Sequence, residues 1–317
     1  MHDVWRVEMI SEVRGLHHVT SLTRDASANN HFFTKSLGLR RVKKTINFDV
    51  PDAYHLFYGT RIGAPGTVIT YFPFPSLSGS RMGSGEVGCV AFSTPEGSRP
   101  FWEAHVDELK LKHVIPDEYF GQKRLRFQGL DGEEIAIIEN PQDKRKAWDG
   151  SDLSTDIGIR GLHSVSLRLA DAGATAEFLK LMGYEFLGKE GNHHRYQLAK
   201  GNGADCIDIQ ELPHADPARP GAGSVHHVAF SVESRKEQEK VREVLLHNGY
   251  RVTQVKNRGY FFAIYFRSPG GVLFEIATNE PGFNTDEKLS ELGQGLMLPK
   301  EHESRREQLE ESLEPIE

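Results

Sequence analysis

Two pairs of adjacent histidines lie in similar strand-like segments near opposite ends of this 317-residue chain. The first pair is in Gly15-Leu-His-His-Val-Thr and the second in Ser224-Val-His-His-Val-Ala, while Gly271-Val-Leu-Phe-Glu-Ile carries a lone glutamate, Glu275. Two imidazoles and one carboxylate that meet on folding form a facial triad, which binds ferrous iron and leaves positions open for oxygen and substrate. The sequence therefore predicts a metal-dependent enzyme.

Only one histidine of each pair is expected to reach a cavity, because adjacent residues on a strand face opposite ways. When similar segments of the chain are compared, the face with His17 and His226 is mostly large and apolar, and the face with His18 and His227 is small or polar. A cavity wall that admits a ligand must be of the second kind. We therefore predict His18, His227 and Glu275 as metal ligands, and expect His17 and His226 to point at the core. The alternative that His17 and His226 orient the ligand histidines through hydrogen bonds stays open.

The histidine-containing segment recurs four times, with starts near residues 15, 87, 161 and 225. A helical pattern follows each start, over residues 27–37, 99–112, 174–182 and 234–248. Each unit closes with a β-rich run, over residues 67–72, 134–139, 205–212 and 272–278. Strand, helix and two or three strands predict an α+β chain of four βαβββ modules.

Two such modules are expected to close one cup-shaped barrel, so that four modules make two. At the ligand position the second and third modules carry Cys89 and Ser164, and at the place of Glu275 they carry Ala136 and, in one register, Asp208. We therefore expect modules one and four to form the barrel with the site, and modules two and three a barrel without it. The first module supplies Thr70 at the fourth ligand position, which favours an open metal site.

The domain prediction follows the modules. Two modules are predicted in residues 1–142, a polar linker in 143–158, two further modules in 159–283 and a charged tail in 284–317. Residues 301–317 are expected to form a short amphipathic helix packed on the barrel or on another subunit.

The composition limits which binding partners and which cellular compartment are expected for this protein. Hydrophobic residues make up 38% and charged residues 26%, as in a water-soluble globular protein, and a net charge of −7 does not favour nucleic acid or an anionic membrane as partner. With two cysteines, no apolar stretch of membrane-spanning length and no signal-like stretch in residues 1–15, we expect a cytoplasmic protein.

The four-module organisation resembles the vicinal oxygen chelate superfamily, which includes glyoxalase I and the extradiol ring-cleaving dioxygenases, over residues 15–283. Three segments resemble the hydroquinone-type ring-cleaving dioxygenases in particular: Tyr54-His-Leu-Phe-Tyr-Gly, Lys256-Asn-Arg-Gly-Tyr-Phe and Tyr265-Phe-Arg-Ser-Pro-Gly-Gly. The same pairing of modules, one with four and two with three, is implied by this resemblance.

The resemblance also implies catalytic or substrate-contacting positions, namely Tyr265, Arg258, His226, His17 and Thr20. Arg258 can neutralise a developing oxyanion, and Tyr265 can donate a hydrogen bond to a bound oxygen. A histidine of this set can act as acid or base near neutral pH. His55 lies on a predicted strand whose facing direction the sequence leaves open.

We predict an Fe(II)-dependent dioxygenase that cleaves the ring of a hydroquinone or related dihydroxylated aromatic with O2. Its partners are expected to be the small aromatic substrate and O2, with no nucleic acid and no membrane, and with a homo-oligomer left open. Mn(II), Zn(II) and Ni(II) stay alternatives for the metal. Two other functions stay open: a glyoxalase-like lyase or isomerase, and a metal-free protein that binds an aromatic.

Overall fold

A computed structural model describes residues 9–316 of the chain. The predicted N-terminal half (1–142), the N-terminal stretch without a signal-like pattern (1–15) and the predicted tail (284–317) each extend beyond the described residues. The first module contains β1 (Leu16–Thr23), α1 (Ala26–His31), β2 (Arg40–Ile46), β3 (Tyr54–Gly59) and β4 (Val68–Pro73). The second contains β5 (Glu86–Thr94), α2 (Arg99–Glu108), β6 (Lys112–Tyr119), β7 (Gln122–Gln128) and β8 (Glu134–Glu139).

The third module contains β9 (Gly161–Leu169), α3 (Gly173–Leu181), β10 (Glu185–Glu190), β11 (His193–Gln197) and β12 (Cys206–Glu211). The fourth contains β13 (Val225–Val232), α4 (Arg235–His247), β14 (Lys256–Asn257), β15 (Phe261–Arg267) and β16 (Leu273–Pro281). The short β17 (Leu296–Met297) and α5 (Arg306–Ser312) follow. The predicted four βαβββ modules are confirmed.

The strands form two curled sheets. The nine-stranded sheet has the order β14-β15-β16-β13-β1-β4-β3-β2-β17, and the eight-stranded sheet has the order β10-β11-β12-β9-β5-β8-β7-β6. Modules four and one therefore share one sheet, which we call the first cup, and modules three and two share the other, the second cup. The predicted module pairing is confirmed, because β1 pairs with β13 and β5 pairs with β9, both antiparallel.

The helices pack on the outer faces of the cups and hold the strands in place. In α4, the N-cap hydroxyl of Ser234 accepts a hydrogen bond from the backbone N–H of Glu237, as the start of a helix requires. Gln238, Val241 and Leu245 are buried at helical spacing on one face. The amide of Gln238 donates to the carbonyl oxygens of Phe262 and Ile276, which ties this helix to β15 and β16.

Two predicted helices differ from the structure. The second was predicted to reach residue 112 but ends at Glu108, because Lys110 takes a left-handed conformation with a φ of 54° and β6 begins at Lys112. The first helix splits into α1 and a π-helical turn, Phe32–Ser36, in which the N–H of Leu37 donates to the carbonyl oxygen of Phe32.

The segment between the two halves of the chain is held by Arg145. Its guanidinium pairs with Asp143 at 2.7 Å and donates to the carbonyl oxygens of Gly66, Leu162 and Gly203. Leu162 lies on β9 of the second cup, and Gly66 lies in the loop before β4 of the first cup, so Arg145 joins this segment to parts of both cups. The boundaries given for the four predicted segments stay a prediction.

The C-terminal segment packs on the first cup. The ammonium of Lys43, on β2, is fully buried and contacts the carboxylates of Asp286, at 2.6 Å, and Glu287. The hydroxyl of Tyr260 donates to Asp286, and Leu309 of α5 is buried in the main core. Among the helices of residues 9–316, none combines the length and the hydropathy that crossing a membrane requires.

Replacing Lys43 should destabilise the protein strongly. In Lys43→Ala two carboxylates lose their buried cation, so we expect the free energy of unfolding to fall by about 3 kcal/mol. The matched control is Lys35→Ala, which breaks the exposed pair with Asp152 and should change stability by less than about 1 kcal/mol. Chemical denaturation of both variants tests this, and equal losses would contradict it.

Candidate metal centre

Three side chains meet at the floor of the first cup. The Nε2 atoms of His18 and His227 lie 3.3 Å apart, and Oε2 of Glu275 lies 2.9 Å from Nε2 of His227 and 3.7 Å from Nε2 of His18. All three residues are buried, with exposures of 1%, 4% and 0%. The structure thus brings together the three residues predicted as metal ligands.

The strand register explains this meeting. His18 lies opposite Ala229 and Thr20 lies opposite His227 in the antiparallel pair of β1 and β13. Glu275 lies beside Ala229 in the parallel pair of β13 and β16. Side chains two residues apart on a strand share a face, so all three groups point into the same cup.

The electrostatics of the cluster call for a cation. Burial lowers the pKa of His227 to about 3 and that of His18 well below its usual value, so both imidazoles are neutral at pH 7. Within residues 9–316, neither carboxylate oxygen of Glu275 has a hydrogen bond of good geometry. Two neutral imidazoles therefore face a buried carboxylate. Metal bonds of about 2.1 Å to neighbouring ligands place those ligand atoms about 3 Å apart, so these residues could hold a metal ion.

The expectation that His17 and His226 point at the core is wrong. The Nδ1 atoms of His17 and His18 lie 2.9 Å apart, and those of His226 and His227 lie 2.8 Å apart. The cause is a pair of β-bulges: between Leu16 and His18 the partner strand advances by one residue, so His17 is the extra residue, and His226 is extra in the same way on β13. A bulge breaks the strict alternation on which the expectation rested.

These contacts can orient the ligand histidines. A neutral imidazole has one N–H, so if Nε2 of His18 offers its lone pair to a metal, its Nδ1–H donates to Nδ1 of His17. His17 then carries its hydrogen on Nε2, next to the backbone of Thr278, with which it forms a hydrogen bond. Partners of this kind fix the tautomer and ring orientation of metal-binding histidines.

The other predicted residues surround the cluster. Tyr265 lies directly opposite Glu275 in the pair of β15 and β16, and its hydroxyl accepts a hydrogen bond from Nε of Arg258 at 3.1 Å. Arg258 also pairs with Asp49 at 2.9 Å. Thr20 shares the inner face of β1 with His18 but is not among the residues that line the cavity, and its buried hydroxyl accepts a hydrogen bond from Thr70. The structure therefore places Tyr265 and Arg258 at the cavity, and Thr20 on the same inner face but outside the cavity lining.

A cavity of about 50 Å³ opens over the cluster. Its wall combines aromatic rings with polar groups; besides the triad, it contains Asn47, Phe48, Asp49, His55, Phe57, Phe72, His226, Arg258, Phe261 and Tyr265. Several rings with a few fixed polar groups are typical of a site that binds a small aromatic molecule.

Sequence reasoning left the direction of His55 open, and the structure turns it inward. Phe57 pairs with Thr70 across β3 and β4, and His55 lies two residues before Phe57 on the same face. Because Thr70 donates to Thr20, it accepts from Nε2 of His55 at 2.8 Å. Thr70 occupies the position of Glu275 in the repeat, so it was expected to face the cup. A strand paired with Thr70 places His55 on the same side, and this was the signal that could have placed His55 in the cup.

The second cup repeats the geometry without the ligands. Ala136 pairs with Ala91, and Asp208 pairs with Ser166, in the same register that places Glu275 beside Ala229. Asp208 therefore does occupy the position of Glu275. The histidine positions hold Cys89 and Ser164, so the loss of the triad in this cup is confirmed.

Comparisons with known proteins agree with this architecture. The model of the Glyoxalase/Bleomycin resistance protein/Dioxygenase superfamily matches residues 199–276. MhqO of Bacillus subtilis, provisionally named a ring-cleaving dioxygenase, is 36% identical over 98% of each chain. The chlorohydroquinone/hydroquinone 1,2-dioxygenase of Sphingobium indicum is 33% identical over 96% of this chain and 97% of its own.

Solved structures show the same relationship. A crystal structure from Bacillus subtilis, provisionally named a dioxygenase, superposes with a TM-score of 0.93 at 36% identity, covering 96% of this chain and 98% of that one. Glyoxalase I from Zea mays superposes with a TM-score of 0.62 at 15% identity, covering 84% of this chain and 92% of its own, and at that identity it shares the fold alone.

The buried histidines predict how the metal-free protein responds to acid. Burial lowers the pKa of His17 to about 4, below the 6.5 of an unfolded chain. Below pH 6.5 the unfolded chain binds a proton at this histidine more readily than the folded chain does. The free energy of unfolding therefore falls as the pH drops toward 4, by about 2 kcal/mol between pH 7 and pH 5. Glu275, whose pKa is raised by burial, acts in the opposite direction.

We therefore expect His17→Gln to weaken the pH dependence of the unfolding free energy in metal-free protein. Denaturation at pH 7 and pH 5 measures this, with His31→Gln, at an exposed position of α1, as the control. An unchanged difference between the two pH values in His17→Gln would show that His17 is not held neutral.

Proposed function

This chain belongs to the ring-cleaving dioxygenases of the Glyoxalase/Bleomycin resistance protein/Dioxygenase superfamily, and from that premise we propose that it cleaves a hydroquinone or related dihydroxylated aromatic with O2, using Fe(II). The observation that carries the proposal is the buried triad of two neutral imidazoles and one carboxylate without a hydrogen bond of good geometry. The named activity of the Sphingobium relative supports the substrate class.

In this proposal His18, His227 and Glu275 hold the metal. Ferrous iron bound by two histidines and a carboxylate supplies open positions for O2 and a substrate oxygen and passes electron density between them. Thr70 occupies the fourth strand position, but its hydroxyl donates to Thr20 and accepts from His55. Because that hydroxyl is already engaged, the arrangement supports a three-ligand site over the four-ligand site of a glyoxalase.

The cavity wall would hold the substrate ring. Phe57, Phe72 and Phe261 offer apolar faces and edges to an aromatic ring. Arg258 would neutralise a phenolate oxygen. Burial, with the negative charge of Glu275 nearby, raises the pKa of Tyr265 well above its usual value. The phenol therefore stays protonated and can donate to a substrate or oxygen atom.

His226 would donate and take back a proton at the cavity. Burial lowers its pKa to about 4, so its imidazole is neutral at pH 7. Its Nδ1 lies 2.8 Å from Nδ1 of His227 and would accept the hydrogen of that ligand. The remaining hydrogen of His226 then lies on Nε2, where it can be donated to a developing oxygen anion and later returned.

Removing a ligand should remove both metal and activity. Wild-type protein purified without oxygen should contain about one iron per chain and consume O2 when a hydroquinone is added, whereas His227→Ala should do neither. The matched control is Cys89→Ala, at the equivalent position of the second cup, which should keep iron and activity. Metal analysis and an oxygen electrode give both readings. Ring cleavage by metal-free protein would contradict the proposal.

Tyr265→Phe should slow turnover without releasing the metal. Loss of one preorganised donor to a developing oxyanion lowers kcat by about 100-fold, while the iron content stays that of wild type. Tyr250→Phe is the control, because Tyr250 packs on Phe178 and Phe266 in the core behind the cup. Equal kcat values for Tyr265→Phe and wild type would remove Tyr265 from the proposed mechanism.

A further inference from the structure

The second cup encloses more space than the first. Its cavity has a volume of about 190 Å³, against about 50 Å³ over the triad. A single water needs about 10–15 Å³ of such space, so the second cavity can hold a small molecule. It opens on the same inner side of the sheet as the triad does in the first cup, because the closing strands have the same register.

This cavity is not a second metal site. Arg195 pairs with Asp208 across β11 and β12, at the place where Tyr265 pairs with Glu275 in the first cup. Its guanidinium contacts both carboxylate oxygens of Asp208, at 2.8 and 2.9 Å. The buried acid therefore already has a fixed cation of its own, and a neutral Ser164 and a buried thiol, Cys89, stand where the histidines would be.

The wall of the cavity is rich in cationic groups. Arg124, Arg126 and Arg168 line it, together with His193, and Glu134 is the one acidic side chain among its lining residues in the described chain. The arginines come from both modules, since two lie on β7 and one lies on β9. Each arginine also contacts a carboxylate, so the wall offers guanidinium N–H donors rather than an excess of positive charge.

Two of the three arginines are loosely paired. Arg124 makes two 2.8 Å bonds to Asp117. Arg126, by contrast, lies 3.2 Å from Asp117 and 3.5 Å from Glu134.

Arg168 is held in the same loose way, at 3.3 Å from Glu86 and 3.7 Å from Glu134. Charge-assisted bonds of this kind are normally about 2.7–2.9 Å long. Arg126 and Arg168 thus face each other over Glu134 with donors that are only partly used.

We propose that the second cup binds a small carboxylate anion through the N–H groups of Arg126 and Arg168 that Asp117, Glu86 and Glu134 leave unused. The planar guanidinium groups match the two oxygens of a carboxylate. The hydroxyl of Ser166 and the amide of Gln210, which also line the cavity, supply further hydrogen bonds. The inference concerns the cup without the triad and is independent of the proposed reaction.

Isothermal titration of malonate into the iron-loaded protein tests this, with ionic strength held constant by chloride and with neutral malonamide as the control ligand. Wild-type protein should bind malonate and not malonamide. Arg126→Gln and Arg168→Gln should each weaken malonate binding at least about 10-fold, which is the loss expected for one charge-assisted contact. Arg99→Gln is the matched control, because Arg99 pairs with Glu103 on the outer helix of the same module, and it should bind as wild type does.

Two variants separate binding from folding and from the first cup. Arg168→Lys keeps the charge but not the fork of donors, so it should fold as wild type does, by thermal melting, and still bind malonate more weakly. His227→Ala removes the triad and should leave malonate binding intact. The proposal is overturned if wild-type protein does not bind malonate, if the glutamine variants bind it as wild type does, or if binding is lost with His227.

Discussion

A buried carboxylate that pairs with no arginine or lysine among the described residues is the constraint on which the first cup depends. Glu275 is fully buried, and its Oε2 lies 2.9 Å from Nε2 of His227 and 3.7 Å from Nε2 of His18, both neutral imidazoles. A charge in such a place is costly unless a cation or a proton compensates it. The strands, helices and bulges around the cluster hold three electron-rich atoms at metal-ligand spacing. A cation bound there would compensate the buried charge, so the cost of burying Glu275 would favour cation binding.

Each cup contains a buried acid, and the two cups differ in the group that lies opposite it. In each, the closing strand of one module carries an acid into the interior, Glu275 in the first cup and Asp208 in the second. The residue directly opposite the acid differs: Tyr265 brings no charge to Glu275, whereas Arg195 brings a permanent cation to Asp208. This difference opposite the acid accompanies the loss of both histidines, which Cys89 and Ser164 replace in the second cup.

Much of this could be predicted from the sequence, because the repeat compares the chain with itself. Four matched segments predicted the modules, their pairing and the residues of the triad, whereas the register of Asp208 stayed open until the strand pairing fixed it. The alternation of side chains along a strand gave the wrong direction for His17 and His226, because each is the extra residue of a β-bulge. A pattern of period two does not reveal such an extra residue. The direction of His55 and the arginine-lined second cavity depend on pairings across strands and modules, which spacing along one strand does not reveal.

Anomalous X-ray scattering at the iron edge, from crystals grown without oxygen, tests the central claim most directly. We expect one strong peak per chain within about 2.2 Å of Nε2 of His18, Nε2 of His227 and an oxygen of Glu275. We expect no such peak beside Asp208. A peak elsewhere, or well-ordered crystals of catalytically active protein without any metal at the triad, would contradict it.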